Sequence, residues 1–443
     1  MRIQLSDNFN YNRLVRFVLP SVAMMIFTSI YSVVDGLFVS NFVGKTSFAA
    51  VNLIMPIIMA MGTIGFMIGT GGSAIISKAL GEGKPYQANR YFSMLVYVSV
   101  ILGIFITVVG LVFIHSIVKA IGAEGEIAEQ CVIYGRIMIA SITPFILQSV
   151  FQSFFITAEK PGLSLKITAT AGFTNMLLDF LFVAIFKWGI AGAAVATAIS
   201  QIIGGIIPLI YFSRKNSSLL KLTRTKIEKR ILLNTFTNGS SEMMTNLSTS
   251  LVNILYNYQL INIIGEDGIS AYGVIMYINF IFTAVFIGYS IGIAPVIGYH
   301  YGSGNSVELK SLFKKSIILV GISGIVMTLL SEFLAGNLSK IFVGYDSQLC
   351  ELTSRGFRIY AISFLASGFN IFGSAFFTAL SNGLVSAIIS FMRTLLFQLI
   401  FVIMLPMIIG LDGIWLSIVA AELAAVFVTI IFFIKMKDKY NYL

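Results

Sequence analysis

Long apolar segments separated by short polar ones run through the whole chain. A helix needs about 20 apolar residues to cross a hydrocarbon core about 30 Å thick. Segments of at least that length recur along the sequence, and the pattern predicts an all-α integral membrane protein with twelve transmembrane helices. The predicted spans are residues 15–42, 50–77, 91–117, 132–156, 163–186, 189–213, 231–263, 269–300, 316–336, 357–380, 384–409 and 413–434.

Composition agrees with this pattern, because 57% of the 443 residues are hydrophobic and 11% are charged, whereas a soluble domain has about a quarter charged residues. The basic residues that give the net charge of +10 lie mainly in the loops between the apolar segments. With an even number of helices both termini share one side, and the loops of that side hold most Lys and Arg, including those in 214–230 and 435–439. The positive-inside rule therefore predicts a multi-pass protein of the cytoplasmic membrane with both termini in the cytoplasm. No nucleic-acid partner is expected.

The chain contains two copies of a six-helix unit. At a shift near 222 residues, GRIMIASITPFILQSVFQSFFITA from Gly135 aligns with FRIYAISFLASGFNIFGSAFFTAL from Phe357, and TSIYSVVD from Thr28 aligns with TSLVNILY from Thr249. An ordered series of such matches indicates duplication. We predict a first lobe at 1–212, a basic cytoplasmic linker at 213–230 and a second lobe at 231–443. Repeats related by an axis along the membrane normal are typical of secondary transporters.

Carboxylates inside the predicted spans are the candidate chemistry. A charged side chain at the centre of a membrane helix costs about 2.5–3.5 kcal/mol, so it rarely faces lipid. Four acids fall within the spans, namely Asp35, Asp179, Glu242 and Glu422.

Depth places Asp179 and Asp35 in one cluster. The fifth and sixth helices meet at a tight turn, residues 187–189, and both Asp179 and Thr197 lie eight residues from it, about 12 Å along the helix. Asn175 lies one turn deeper on the same face as Asp179, and Asp35 reaches a similar depth in the first helix. Two carboxylates, an amide and a hydroxyl suit a small hard cation such as Na⁺. They suit a proton as well, since two neighbouring acids in a low dielectric cannot easily both ionise.

A family resemblance covers essentially the whole chain. The segments VVDGLFVSNFVG, NMLLDFLFVAIFKWGIAGAAVATAISQ and IAPVIGYHYGSGN resemble the multidrug and toxic compound extrusion (MATE) transporters, and the pattern is closer to the DinF- or MepA-like branches than to the NorM branch. The resemblance implies two pseudo-symmetric six-helix lobes around a central cavity. It also implies export of amphipathic cations, driven by Na⁺ or H⁺ through alternating access. The cation site of many members corresponds here to Asp35, Asn175, Asp179 and Thr197. Phe180 stands where members often have proline, so a different bend is expected there.

The sequence identifies the residues of the substrate cavity less clearly. Aromatic and methionine side chains can form an adaptable cavity for aromatic cations. We expect Arg393 to be a structural residue within snorkelling distance of the membrane surface, and Glu422 to pair with a neighbouring helix. The candidate cavity residues are Gln148, Phe151, Gln152, Phe154, Glu242 and Asn370.

Other function classes fit the local chemistry poorly. The segment FVGKTS at 42–47 imitates the end of a phosphate-binding loop, but Val39 stands where that motif needs its first glycine. With two histidines in the chain and no nucleophile elbow, neither an enzyme nor a cofactor is expected, and a monomer is the default. The alternative from another class is a flippase for a lipid-linked sugar or polysaccharide precursor, which would favour a cationic cavity rather than an acidic one.

Overall fold

The computed structural model describes residues 3–443, so the first two residues of the predicted first lobe lie outside it. The described chain is built from fifteen α-helices and contains no strand. The helices are α1 Tyr11–Phe38, α2 Lys45–Gly81, α3 Pro85–Ala120, α4 Gly125–Ala140, α5 Ile142–Thr157, α6 Pro161–Asp179, α7 Gly189–Ser213, α8 Lys229–Ile264, α9 Glu266–Gly302, α10 Ser306–Val343, α11 Ser347–Ala361, α12 Phe364–Ala379, α13 Gly383–Phe391, α14 Phe397–Ile409 and α15 Leu411–Tyr440.

These helices form the twelve spans that the apolar pattern predicts. Within the described chain, nine helical segments are each long and apolar enough to cross a membrane, and the pairs α4–α5 and α11–α12 each add one bent span. The remaining span is α8, which is too polar to pass the same test. Its polar side chains line a cavity described below, which explains why a helix inside the bundle is less apolar than its neighbours.

The two bent spans occupy equivalent places in the two sequence copies. The α4–α5 pair bends by 52° and the α11–α12 pair by 51°. Ser141 lies at the first break and Ser363 at the second, inside the two segments that align best in the sequence. The bends are therefore a structural expression of the duplication, while the lobe boundaries themselves stay a prediction.

Three π-helical turns interrupt the spans beside polar residues. They cover Val39–Val43 after α1, Phe180–Ile185 after α6 and Met392–Leu396 between α13 and α14. A π-turn changes the direction in which the following side chains point, and such turns are frequent at functional sites. The second π-turn begins at Phe180, the position where the family often has proline. The different bend expected there is therefore this π-turn.

The two halves meet along α1 with α9 and along α2 with α8. Glycines allow these backbones to approach closely. A methyl group at Gly239 would overlap the Met67 carbonyl oxygen, and one at Gly288 would lie 2.5 Å from the Val22 Cα. Close packing through small residues is the usual way in which membrane helices gain van der Waals contact.

Both chain termini lie at one end of the bundle, which we call the terminal face. There the N-terminal segment crosses between the two halves: the Leu5 amide donates to the Glu159 carboxylate at 2.8 Å, and the Phe9 amide donates to the Glu308 carboxylate at 2.8 Å. Glu159 follows α5, whereas Glu308 lies in the first turn of α10. The segment therefore ties the two halves together at this face.

The polar linker between the halves is bound to α3. The Thr223 amide donates to Ser93 Oγ at 2.8 Å, and Arg90 forms an ion pair of 2.9 Å with Glu228. The linker is thus held against the first half rather than left as a free tether.

We expect Gly239→Ala to destabilise the protein, because the added methyl group collides with backbone across the α2–α8 contact. Overpacking of this kind costs about 1–3 kcal/mol, which scanning fluorimetry in detergent detects as a lower Tm. Gly273→Ala on α9 is the control, since a Cβ there meets nothing within 4 Å. Equal Tm values for the two variants would contradict the proposed backbone contact.

Candidate functional site

The four residues predicted as a cation site lie together in the first lobe. Thr197 Oγ1 donates to Asp35 Oδ1 at 3.5 Å, and Asn175 Nδ2 donates to Thr197 Oγ1 at 3.3 Å. The carboxyl groups of Asp35 and Asp179 lie close enough to interact directly. The cluster joins α1, α6 and α7, and its role as an ion site stays a prediction.

The cluster holds acceptor oxygens without donors. Asp179 is fully buried, and neither of its carboxyl oxygens receives a hydrogen bond from a described residue; the same holds for Asn175 Oδ1. Buried polar atoms are normally hydrogen-bonded, and leaving one unpaired costs about 1–3 kcal/mol. A cation bound by these oxygens removes that cost, and a proton held between the carboxyls removes part of it.

The second lobe also touches this cluster. Gly36 follows Asp35, and a Cβ at Gly36 would lie 3.3 Å from the Tyr277 hydroxyl on α9. The Tyr277 hydroxyl therefore lies beside the backbone of α1, one residue from Asp35.

A separate cavity of about 400 Å³ lies mainly within the second lobe. Its walls come chiefly from α8, α9, α12 and the segment around the third π-turn, with a few side chains from α2 and α5. Hydroxyl and amide groups dominate the polar part of the lining, and three charged side chains are present. The charged residues are Glu242, Arg393 and Glu422.

Two of these charges are paired. Arg393 Nε donates to both Glu422 carboxylate oxygens, at 2.8 and 3.0 Å. Asn370 Nδ2 donates to Glu422 Oε2 at 2.7 Å, and Asn370 Oδ1 accepts from Thr429 at 2.8 Å. The expected pairing of Glu422 with a neighbouring helix is therefore present. Arg393, expected within snorkelling distance of the membrane surface, has its side chain turned toward Glu422 and the cavity instead.

Of the six predicted cavity residues, Glu242 is the one that lines this cavity in the described structure. Phe151 and Phe154 are fully buried among aromatic rings. The Phe154 ring packs against Phe92, and the Phe151 ring packs against Phe212. Gln148 is buried, and Asn370 is engaged by Glu422. Gln152 is also absent from the lining.

Sequence reasoning missed part of this cavity. Arg393 is one omission, and polar positions of α8 and α9 such as Asn253, Asn279 and Thr283 are others. The signal that marks α8 is its low apolarity compared with the other spans, since a polar membrane helix must face protein or a polar cavity.

Comparison with known proteins gives consistent matches. The family model described as MatE matches residues 20–181 and 242–404, one stretch in each sequence copy. The chain is 26% identical to the multidrug export protein MepA of Staphylococcus haemolyticus (strain JCSC1435), covering 97% of this chain and 94% of that protein. It is 24% identical to MepA of Staphylococcus aureus (strain MRSA252), with the same coverage.

Solved structures share the fold. A crystal structure of MATE in complex with MaL6 superposes with a TM-score of 0.93 at 22% identity, covering 98% of each chain. The outward-facing conformation of a multidrug resistance MATE family transporter of the MOP superfamily superposes with a TM-score of 0.91 at 22% identity, covering 97% of this chain and 96% of that one.

We expect Arg393→Gln to lower stability more than the double variant Arg393→Gln/Glu422→Gln. The single change leaves the Glu422 carboxylate buried without its counter-charge, a loss of about 3–5 kcal/mol, whereas the double change removes both charges. Scanning fluorimetry of the two variants and of Glu422→Gln measures the coupling. Additive losses would contradict an energetic pair.

We expect Na⁺ to raise the Tm of the purified protein relative to choline at equal ionic strength. A ligand that binds the native state at a hundred times its Kd stabilises it by about 2.7 kcal/mol. Asp179→Asn should abolish the shift, while Asp412→Asn should keep it, because Asp412 pairs with the exposed Arg355 away from the cluster. A wild-type protein that Na⁺ leaves unchanged would contradict a sodium site.

Proposed function

The chain belongs to the MATE family of multidrug efflux transporters, and we propose that it exports amphipathic cations in exchange for Na⁺ or H⁺ by alternating access. The observation that carries this proposal is the cluster of unpaired buried acceptors around Asp179, which is separate from the acidic cavity of the second lobe. An antiporter needs a site for the coupling ion and a site for the substrate, and the cluster and the cavity can fill these two roles.

The first-lobe cluster is the proposed ion site. Asp35 and Asp179 provide carboxylates, and Asn175 and Thr197 provide neutral oxygens, the donor set that a small hard cation prefers. The unpaired Asn175 Oδ1 favours Na⁺, because a proton shared by the two carboxyls would leave that amide oxygen without a partner.

The second-lobe cavity is the proposed substrate site. Since Arg393 offsets Glu422, Glu242 is the remaining charge among the described lining residues. A carboxylate in a partly enclosed cavity attracts a cation more strongly than one on the open surface, because water screens its charge less there. The aromatic lining residues Tyr256, Tyr272 and Tyr360 offer apolar faces to the rest of an amphipathic molecule.

Coupling is proposed to pass through α1. Ion binding draws Asp35 toward Asp179, and α1 carries this movement to α9 where Tyr277 lies beside Gly36, close enough that a Cβ at Gly36 would be 3.3 Å from its hydroxyl. The ion and the drug must favour different conformations, since a ligand with equal affinity for both states shifts neither.

The orientation follows from the charge distribution. We propose that the terminal face is cytoplasmic, as the positive-inside rule predicts. The close α2–α8 and α1–α9 contacts and the crossing N-terminal segment then form the barrier that must open toward the cytoplasm.

We expect Asp35→Asn to abolish transport while leaving the protein folded, because the amide cannot provide the charge that holds the ion. The measurement is ethidium transport in proteoliposomes, with a Na⁺ gradient in one set and a pH gradient in another. Activity under Na⁺ alone makes the cluster a sodium site, and activity under the pH gradient alone makes it a proton-sharing pair.

The matched control is Asp412→Asn, which removes a carboxylate from an exposed ion pair of 2.6 Å with Arg355. Such pairs contribute about 0–1 kcal/mol, so this variant should transport like the wild type. A folded wild-type protein that is silent under both gradients would contradict the proposal and favour the flippase alternative.

A further inference from the structure

Another cavity, which we call the interlobe pocket, lies at the terminal face where the two halves meet. Its volume is about 350 Å³, a size that suits a small ligand. The walls come from the end of α2 and the start of α3 in the first half, and from the first turns of α8 and α13 in the second. The polar part of the wall includes Lys78, Glu82, Gln87, Asn238 and Ser381.

The interlobe pocket is the counterpart, in the duplicated chain, of the site that holds the N-terminal segment. At that site the carboxylates of Glu159 and Glu308 accept backbone amides of the segment. The duplication pairs Glu159 with Ser381 and Glu308 with Gln87, and both partners lie in the pocket wall. Glu159 and Ser381 share a left-handed backbone, with φ of +57° and +59°, so the pairing holds in the structure as well as in the sequence.

The chain treats these two equivalent places differently. The segment before α1 crosses between the halves, whereas its counterpart before α8, the linker, is bound along α3 through Ser93 and Arg90. No described residue of the linker belongs to the lining of the interlobe pocket. The pocket is therefore accessible to a separate molecule rather than covered by the chain.

The charges of the interlobe pocket favour an anion. Neutral side chains stand where the N-terminal site has its two carboxylates, and Glu82 is offset by Lys84 in an ion pair of 2.7 Å. Lys78 is the other charge of the described lining; its ammonium lies 5.1 Å from the centre of the Tyr301 ring and donates to no described residue. The first amides of α13, which begins at Gly383 in the pocket wall, add a partial positive charge.

Asn238 supplies an acceptor in the same wall. The residue is 3% exposed, and its Nδ2 donates to the Thr378 carbonyl at 2.8 Å, but its Oδ1 receives no hydrogen bond from a described residue. The duplication pairs Asn238 with Phe17, whose ring packs against Phe9 of the N-terminal segment at 5.8 Å between centroids. An apolar contact in one site thus corresponds to an unpaired amide oxygen in the other, and a buried oxygen of this kind normally has a donor.

We propose that the interlobe pocket binds a phosphate group that carries a hydrogen-bond donor. Ethanolamine and glycerol head groups of phospholipids have this chemistry, and so do the corresponding soluble phosphate esters. Lys78 and the first amides of α13 bind the phosphate oxygens, while Asn238 Oδ1 accepts from the ammonium or hydroxyl of the donor arm.

The bound group would join the two halves, because Lys78 belongs to the first and Asn238 to the second. It would thereby stabilise the conformation in which the halves meet at the terminal face. This pocket is separate from the proposed ion and substrate sites, so the inference does not rest on the proposed function.

Head groups that differ in one property test the site. Dihexanoyl phosphatidylethanolamine and phosphatidylglycerol have a phosphate and a donor, whereas the phosphatidylcholine analogue has the phosphate without an N–H or O–H group. Each lipid is titrated into the purified protein in detergent, and the Tm from scanning fluorimetry gives its affinity. The first two lipids should raise the Tm more than the choline lipid, and equal shifts for all three would overturn the inference.

Soluble esters distinguish the two sources of the ligand. Phosphoethanolamine and glycerol 3-phosphate are titrated in the same way, with phosphocholine as the ester that lacks a donor. Shifts at concentrations similar to those of the lipids would support a soluble ester as the ligand, and shifts with the lipids alone would support a membrane lipid. A Tm that neither the lipids nor the esters raise would overturn the inference.

Two variants locate the binding. Lys78→Met keeps the apolar stem and removes the cation, so the affinity should fall about tenfold or more, the loss expected for a charged hydrogen bond. Ser381→Glu places a carboxylate at the counterpart of Glu159 and should repel the phosphate. Because Ser381 is exposed, this variant should fold even if Lys78→Met does not.

The matched control is Lys160→Met, which removes a lysine from the same face but outside the pocket, where its ammonium donates to Ser217 at 3.1 Å. This variant should keep the wild-type affinity. Wild-type affinities in both Lys78→Met and Ser381→Glu would show that the phosphate binds elsewhere and would overturn the inference.

Discussion

The need to partner charges inside an apolar bundle governs the polar architecture of both lobes. A carboxylate buried without a partner is costly, and the two halves meet this constraint in opposite ways. In the second lobe Glu422 has a guanidinium and an amide as partners. In the first lobe Asp179 receives no hydrogen bond from a described residue, and its proposed partner is the coupling ion. That difference separates a structural ion pair from a candidate ion site.

Duplication followed by divergence accounts for this contrast. When TSIYSVVD of the first copy is aligned with TSLVNILY of the second, Tyr256 occupies the position of Asp35. Tyr256 donates to Gln398 at 3.0 Å, so this position makes an internal hydrogen bond instead of joining a pair of acids. The bent spans are retained in both copies, which indicates that the scaffold is shared while the buried chemistry is specific to each half.

Close backbone contact and polar chemistry coincide along α1. Ser21 and Val22 of this helix pack against Gly288 and Gly292 of the other half, and the same helix carries Asp35. Tightly packed interfaces shift between discrete arrangements rather than deform continuously. A helix that both carries the proposed ion ligand Asp35 and packs along the boundary between the lobes would convert ion occupancy into a change of packing.

The spans and the grouping of the first-lobe cluster could be predicted from the sequence because both follow from local rules, and the duplication could be predicted because the two copies still align. Helix length sets the spans, and a constant 1.5 Å rise relates Asp179 and Thr197 to the shared turn at 187–189. The directions of individual side chains could not be predicted in this way. Arg393 points toward Glu422 rather than the membrane surface, and Phe151 and Phe154 pack among aromatic rings. These outcomes depend on which helix faces which and on the π-turn at Met392–Leu396, and neither is encoded in the periodicity of a single helix.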